Sequence, residues 1–251
     1  MDLIVPDWKG IPDNIGAFFT SRHGGVSLPP YHDGSAAGAG LNLASHVGDD
    51  PKHVERNRAL LRSILPAEPA WLNQVHGAVV VDAEHAAGVP DADASFACRR
   101  NVVCAVQTAD CLPVLFCDMA GRTVAAAHAG WKGLASGVLE NTVRRMQAEG
   151  GDEILAYMGP AIGPQQFEVG DDVPAAFAAR GLHVRHAFRP IAGQPGKYLA
   201  DIYSLARSVL ENVGVTRVDG GGFCTVTEPH RFYSYRRDGV TGRMAALIWL
   251  K

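Results

Sequence analysis

Long apolar runs are missing from this sequence. Nothing in it approaches the ~18 consecutive apolar residues that a membrane-spanning helix needs, so no membrane association is expected. Cysteine is sparse: five in 251 residues, an odd number at low density. That excludes a disulfide-stapled secreted scaffold and leaves thiolate or ligand roles in a reducing compartment. An excess of basic charge is missing too. Lys and Arg number 23 against 26 Asp and Glu, for a formal net charge of −3, and there is no lysine-rich run. Such a chain carries no electrostatic footprint for nucleic acid and no attraction to an anionic lipid surface. The first residues, Met1-Asp2-Leu3-Ile4-Val5-Pro6-Asp7, lack a basic segment and a sustained apolar core, so they do not read as a secretory leader. A cytoplasmic location is the expectation.

What is there is globular material, 47% hydrophobic, and the chain is long enough to bury a sizeable core. No internal repeat, low-complexity segment or linker divides it, so residues 1–251 read as one domain. A short strand over 16–22 leads into a long loop over 27–49 rich in Gly, Pro, Ser, Asp and His. Loops of that length in compact domains are often functional. Asp50 can cap a helix that Pro51 opens, with Val54, Leu60, Leu61 and Ile64 facing inward until Pro66 stops it. Strands follow over 71–76 and 78–82 and again over 102–107. A β-hairpin spans 112–117 and 123–128. A helix over 134–148 closes at Gly150-Gly151. A strand over 154–158, helices over 171–180 and 201–213 and a final strand over 244–250 complete the reading. The fold class this implies is α+β, a single domain with mixed β-sheets packed together and helices on the outside.

The hairpin brings two metal-ligating residue types together. A two-residue turn closed by Asp118 and Gly121 pairs Cys111 directly with His128, on one face and with Cβ atoms ~4.5–5.5 Å apart. One thiolate and one imidazole at that separation can share an ion, because zinc binds sulfur at ~2.3 Å and nitrogen at ~2.0–2.1 Å. A bulge at Gly121 would shift the register. Equally, cysteine is a commonly buried small residue and histidine is often only a satisfied strand residue. Spacing alone leaves the third ligand open, since ten histidines compete for it. Cys98, Cys104, Cys117 and Cys224 read as structural.

Three strings occur in order: Asn73-Gln74-Val75-His76-Gly77, Thr108-Ala109-Asp110-Cys111-Leu112-Pro113-Val114 and His128-Ala129-Gly130-Trp131-Lys132-Gly133. Others flank them: Phe19–Ser27, Leu41-Asn42-Leu43, Val47–Asp50 with Asn57-Arg58, Gly159–Pro164 with Phe167–Gly170, Phe232–Asp238 and Thr241–Met244. Together they resemble the YfiH/YlmD-type multicopper polyphenol oxidase (laccase)-like family, better described as purine nucleoside phosphorylases. Gln165-Gln166 depart from the pattern where many relatives carry cysteine.

The resemblance implies a YfiH-like fold and a Zn2+ site made of His76, Cys111 and His128, with copper as the less favoured metal. It implies phosphorolysis of adenosine, inosine, guanosine and methylthioadenosine by inorganic phosphate, together with adenosine deamination. Two histidines and one cysteine leave a fourth position open, the pattern of a catalytic site. Asp110 is a candidate acid/base or ligand-orienting group beside Cys111. Arg236 is the first candidate for a substrate or phosphate contact, since a guanidinium binds oxyanions in bidentate fashion. Arg22, Asn42, Lys132 and Gln74 are further candidates. Each also has a structural reading as a surface cation, turn cap or solvated residue. Asn73 can contact a purine, and Trp131 can stack on a base or anchor a helix. His23, His32 and His46 stay unassigned.

Two competing chemistries remain open. One is a cysteine hydrolase or amidase of peptidoglycan editing, with Cys111 as nucleophile and His128 as base. The other is a copper-dependent polyphenol oxidase, disfavoured because no methionine is placed as a weak axial ligand. A monomer is expected.

Overall fold

A computed structural model describes residues 1–35, 38–182 and 184–251. Two large sheets lie face to face. One has the strand order Leu3–Ile4, Ile15–Thr20, Met244–Leu250, Val103–Thr108, Pro69–Ala70. The other runs Arg217–Gly220, Ile154–Met158, Leu112–Asp118, Val124–Ala129, Ala94–Ala97, Val80–Asp82. Both are mixed. The short outer pairs 69–70 with 103–104, 155–158 with 217–220 and 80–82 with 94–96 are parallel, and the central ladders are antiparallel.

Alternation along the hairpin strands explains the layering. Leu115, Cys117, Val124 and Ala126 point to the facing sheet, where they meet Cys104, Val106, Ala246 and Ile248. Val114, Phe116, Ala125 and Ala127 point the other way, onto Leu139, Val143 and Met146 of one helix and Leu205 and Val209 of another. Successive side chains on a strand take opposite faces, so the six-stranded sheet is the middle layer. The outer helices are Val138–Ala148 and Ile202–Asn212, and a small third sheet (Glu168–Gly170, Lys197–Ala200, Phe188–Pro190) flanks them. The expected mixed α+β architecture is what forms. No described helix is long and apolar enough to cross a membrane.

Several element expectations need correction. The first helix runs Pro51–Arg62, with the Asp50 side chain accepting from the Lys52 N–H as anticipated. Its buried face is Val54, Asn57 and Leu61, while Leu60 and Ile64 are exposed. The reason is what the helix covers. It covers the short strand His23–Ser27 and the backbone of residues 40–42, and a carboxamide suits those polar groups better than leucine: Asn57 Nδ2 donates to the carbonyls of Gly40 and Asn42 and to Ser27 Oγ, and Oδ1 accepts from the Val26 N–H. Buried backbone polar groups demand such partners.

The helix expected over 134–148 is two helices, Trp131–Ser136 and Val138–Ala148. Gly137 at φ 93° breaks them, in the left-handed region that ends helices. No strand forms over 71–76. After Pro69–Ala70 the chain turns sharply, with His76 at φ 58°.

Candidate active site

The hairpin register differs from expectation by two residues. Its turn spans Met119–Arg122, with the Asp118 carboxylate accepting from the backbone N–H groups of Arg122 and Thr123 at 2.7 and 2.9 Å. His128 therefore pairs with Pro113, and Leu112 with Ala129. Cys111 stands just before the strand, diagonal to His128 rather than opposite it. A shift of one would have moved the thiol to the other face. A shift of two keeps both residues on the face toward the second sheet, as diagonal neighbours still within reach.

His76 joins them through Asp93. The buried Asp93 carboxylate accepts the backbone N–H groups of Val75, His76 and Gly77 at 3.2, 3.0 and 2.6 Å, which bends the chain and holds His76 in its left-handed conformation. The same carboxylate binds His128 Nδ1 at 2.8 Å, and the Asp93 carbonyl accepts the His128 N–H at 2.7 Å. With Nδ1 committed, Nε2 of His128 is the nitrogen left for a ligand role. The His76 and His128 rings lie edge to face with centroids 4.9 Å apart, and His76 Nε2 is 3.8 Å from Cys111 Sγ.

These three residues could hold a metal ion. One donor atom from each lies within 4.8 Å of the others. Two ligands of a tetrahedral zinc at the usual bond lengths stand about 3.5 Å apart, so the observed 3.8 Å fits. Gly130 fits as well. A Cβ there would lie 2.9 Å from Cys111 Sγ and 3.2 Å from His76 Cδ2, so a side chain at that position would crowd the ligands. The imidazole–carboxylate contact of His128 with Asp93 is the second layer that metal-bound histidines ordinarily have.

Electrostatics within the group are coupled. Burial works against a charged Cys111, but the His128 charge and hydrogen bonds from both imidazoles outweigh it and bring the thiol down to about 6. Burial likewise opposes a charged His128, while Cys111 and Asp93 push it up to about 9. Both shifts favour a thiolate beside an imidazolium in the metal-free pair.

The triad opens into a cavity of about 350 Å³. Its other walls include Gln74, His46 and Tyr235, with Gln107 and Thr108 from the facing sheet and Arg243 from just ahead of that sheet's strand Met244–Leu250. A second, more apolar cavity of about 170 Å³ adjoins it across Ala109, Cys111 and Tyr235, lined by Trp131, Ile162, Phe167 and Ile202.

The other sequence candidates lie at varied distances from this centre. Gln74 lines the triad cavity, and its carboxamide is tied to the Gln107 backbone, donating at 2.8 Å and accepting at 2.7 Å. Asp110 (φ 87°) borders the second cavity, and its carboxylate accepts from Thr225 Oγ1 and the Arg236 N–H, both at 2.6 Å. Arg236 lines that second cavity, with its two Nη groups donating to the carbonyls of Gln166 and Glu168. Arg22 is buried elsewhere, donating to the carbonyls of His32 and Pro229 and lying over the Tyr233 ring. Asn42, within the long loop itself, is fully buried and bonds to Ala44 and the Asp49 carboxylate. Lys132 is exposed, 5.8 Å above the Trp131 ring, and lines neither cavity. Asn73 donates to the Asp91 carboxylate at 2.6 Å.

Sequence reasoning missed Asp93, His46, Tyr235 and Arg243. Asp93 had a signal of its own, an acid directly ahead of the apolar run Ala94-Ser95-Phe96-Ala97, where a charge entering a strand asks for a partner.

Comparison with known proteins agrees in extent. The family model described as multi-copper polyphenol oxidoreductase laccase matches residues 16–251. A Pseudomonas aeruginosa protein named purine nucleoside phosphorylase is 52% identical over 248 residues, covering 99% of this chain and 98% of that one. Escherichia coli YfiH, also named purine nucleoside phosphorylase, is 52% identical over 254 residues with the same coverage. The crystal structure of a Neisseria meningitidis protein superposes with a TM-score of 0.91 at 50% identity over 100% of both chains. Matching in sequence from residue 16 to the C-terminus and in fold throughout, this chain belongs to the multi-copper polyphenol oxidoreductase laccase family that includes YfiH.

Proposed function

We propose that this protein is a zinc-dependent purine nucleoside phosphorylase, acting on adenosine, inosine, guanosine and methylthioadenosine, with a further adenosine deaminase activity. One observation carries the reading: two imidazoles and a cysteine sulfur converge within 4.8 Å on the wall of a cavity, in a chain 52% identical to proteins named purine nucleoside phosphorylase. Zinc on His76, Cys111 and His128 would supply Lewis acidity at the cavity wall. Copper is the alternative metal, and no methionine lines this cavity among the described residues.

The protein's own groups do the positioning. Asp93 fixes the His128 tautomer and the approach of His76. The adjoining apolar cavity, with Trp131, Phe167 and Tyr235, offers aromatic faces to a purine. The triad cavity offers polar walls to a sugar and phosphate. Phosphorolysis transfers the sugar from purine nitrogen to phosphate oxygen, so both partners must sit on opposite sides of the anomeric carbon. Two cavities meeting at Cys111 and Tyr235 suit that requirement.

A second reading has its own support. Cys111, His128 and Asp93 also form a nucleophile–base–orienter series with a thiol at about 6, as a cysteine amidase needs. A nucleoside panel with and without phosphate, run on wild type and His76→Ala, separates the two. The expected result is purine plus sugar 1-phosphate only when phosphate is present, with about one zinc per chain and loss of both turnover and metal in His76→Ala. Phosphate-independent release of base would overturn phosphorolysis. Amidase activity in metal-free protein, abolished by alkylating Cys111, would establish the second reading instead.

A further inference from the structure

We infer that Arg243 is the phosphate-binding residue of the triad cavity, the group that seats inorganic phosphate for attack and holds the phosphoryl group of the sugar 1-phosphate formed. This rests on the phosphorolysis reading above and names the anion subsite within it.

Among the described residues, Arg243 is the one permanently charged cation on the walls of that cavity, and no Asp or Glu side chain lines it. Its guanidinium is only half committed. Nη1 donates to the carbonyls of Thr241 and Gly242 at 3.0 and 3.1 Å, while Nε and Nη2 have no protein acceptor among the described residues. A planar fork held by one nitrogen, with two donors remaining, is the arrangement that binds a tetrahedral oxyanion in bidentate fashion. Arg236, the residue the sequence favoured, differs: both its Nη groups are spent on the carbonyls of Gln166 and Glu168, and it lines the neighbouring cavity.

The backbone that presents Arg243 is fixed. The Arg243 N–H donates to Asn42 Oδ1 at 2.9 Å, and the Asn42 carboxamide in turn donates to the Ala44 carbonyl and the Asp49 carboxylate. Gly242 is packed so closely that a Cβ would lie 2.7 Å from the Tyr233 ring and 2.9 Å from Asn42 Cβ. A cation seated on fixed backbone loses little freedom when it closes on a ligand. Asn42 therefore takes part as a positioning residue behind Arg243. His46 adds a donor on the same cavity wall.

The test is the steady-state kinetics of Arg243→Gln and Arg243→Lys, with phosphate and nucleoside varied separately. Losing a charge-assisted bidentate contact should raise the KM for phosphate at least about tenfold in Arg243→Gln. The KM for nucleoside should stay within about twofold, and Arg243→Lys should fall between. In wild-type protein, inorganic phosphate should shield Arg243 from phenylglyoxal, followed by peptide mass spectrometry, and nucleoside alone should not. An unchanged phosphate KM in Arg243→Gln, or a rise confined to nucleoside KM, overturns the assignment. If Arg243→Gln does not fold, the shielding decides, and absence of protection by phosphate rejects it. Wild-type turnover that ignores phosphate would sink the phosphorolysis reading instead, and shielding would then judge the anion subsite alone.

Discussion

Asp93 and His128 are joined twice, carboxylate to Nδ1 at 2.8 Å and carbonyl to backbone N–H at 2.7 Å. A single buried acid thereby orients the imidazole of His128 directly and that of His76 through the backbone of residues 75–77. Asp93→Asn should lower zinc affinity by about 10–100-fold, the usual cost of losing such a carboxylate. Competition with a chromogenic chelator measures this. Affinity unchanged in a folded variant would mean that the ligands are held in place by packing alone.

Gly130→Ala tests the space around the thiol. The added methyl would stand 2.9 Å from Cys111 Sγ, closer than side-chain contacts ordinarily allow, and in front of the ligands. Metal content per chain should fall well below that of wild type while circular dichroism and thermal midpoint change little. Full occupancy in the variant would show that the triad can retreat from the methyl group.

The metal-free protein should show a separation between reactivity and stability. Cys111 is brought from its ordinary 9.0 to about 6, and His128 from 6.5 to about 9. Taken singly, the depressed thiol contributes stability above pH 9 that is lost as pH falls toward 6. The raised imidazole contributes stability below pH 6.5 that is lost as pH rises toward 9. Between 6.5 and 9 the folded pair holds its proton on nitrogen and the unfolded pair on sulfur, so the proton count is equal and the slope from this pair is near zero. Iodoacetamide should accordingly label Cys111 at a rate that falls only below about pH 6, while urea midpoints stay flat from pH 6.5 to 9. Labelling that follows an ordinary thiol near pH 9 would remove the ion pair.

Asn57→Ala removes the group that holds the long loop to the first helix. The two carboxamide N–H groups, shared among three acceptors, and one acceptance vanish together, leaving the Gly40 and Asn42 carbonyls and the Val26 N–H short of a partner. Unpaired buried polar groups cost about 1–3 kcal/mol each, and solvent entry will relieve part of that. A destabilisation of about 2–4 kcal/mol in urea titration is expected, with hydrogen exchange rising first in residues 26–44. A loss below about 0.5 kcal/mol, the range of ordinary surface substitutions, would show that packing alone holds the loop.

Much of the architecture was legible because alternation and caps are local. The hairpin strands, the helix begun by Asp50-Pro51 and the final strand over 244–250 are all where pattern reading places them. The hairpin turn was not, since its length depends on Asp118 accepting two backbone N–H groups, which side-chain pattern does not encode. Asn57 misled for a related reason. Helical periodicity expects an apolar face, and the element it meets is a loop whose carbonyls need donors. Cys111 and His128 could be paired from sequence because one hairpin carries both, whereas His76 entered only through resemblance. Its link to them runs through Asp93, and that contact appears only after the strands are assembled. Arg243 was passed over because Arg236 sits in the more conspicuous string, and only coordinates show which guanidinium has donors to spare.

Cys111 and His128 belong to the middle layer's hairpin, while Gln107 and Thr108 reach the same hollow from the sheet stacked against it and Arg243 from the residue ahead of its strand Met244–Leu250. The shape of the hollow is therefore set by how two slabs of the molecule seat on each other. Val106 and Leu115 pack between the two sheets without lining the hollow themselves, so enlarging or shrinking either should shift one rim relative to the other. Interior residues with no chemistry of their own thus act here as the shims of a vice.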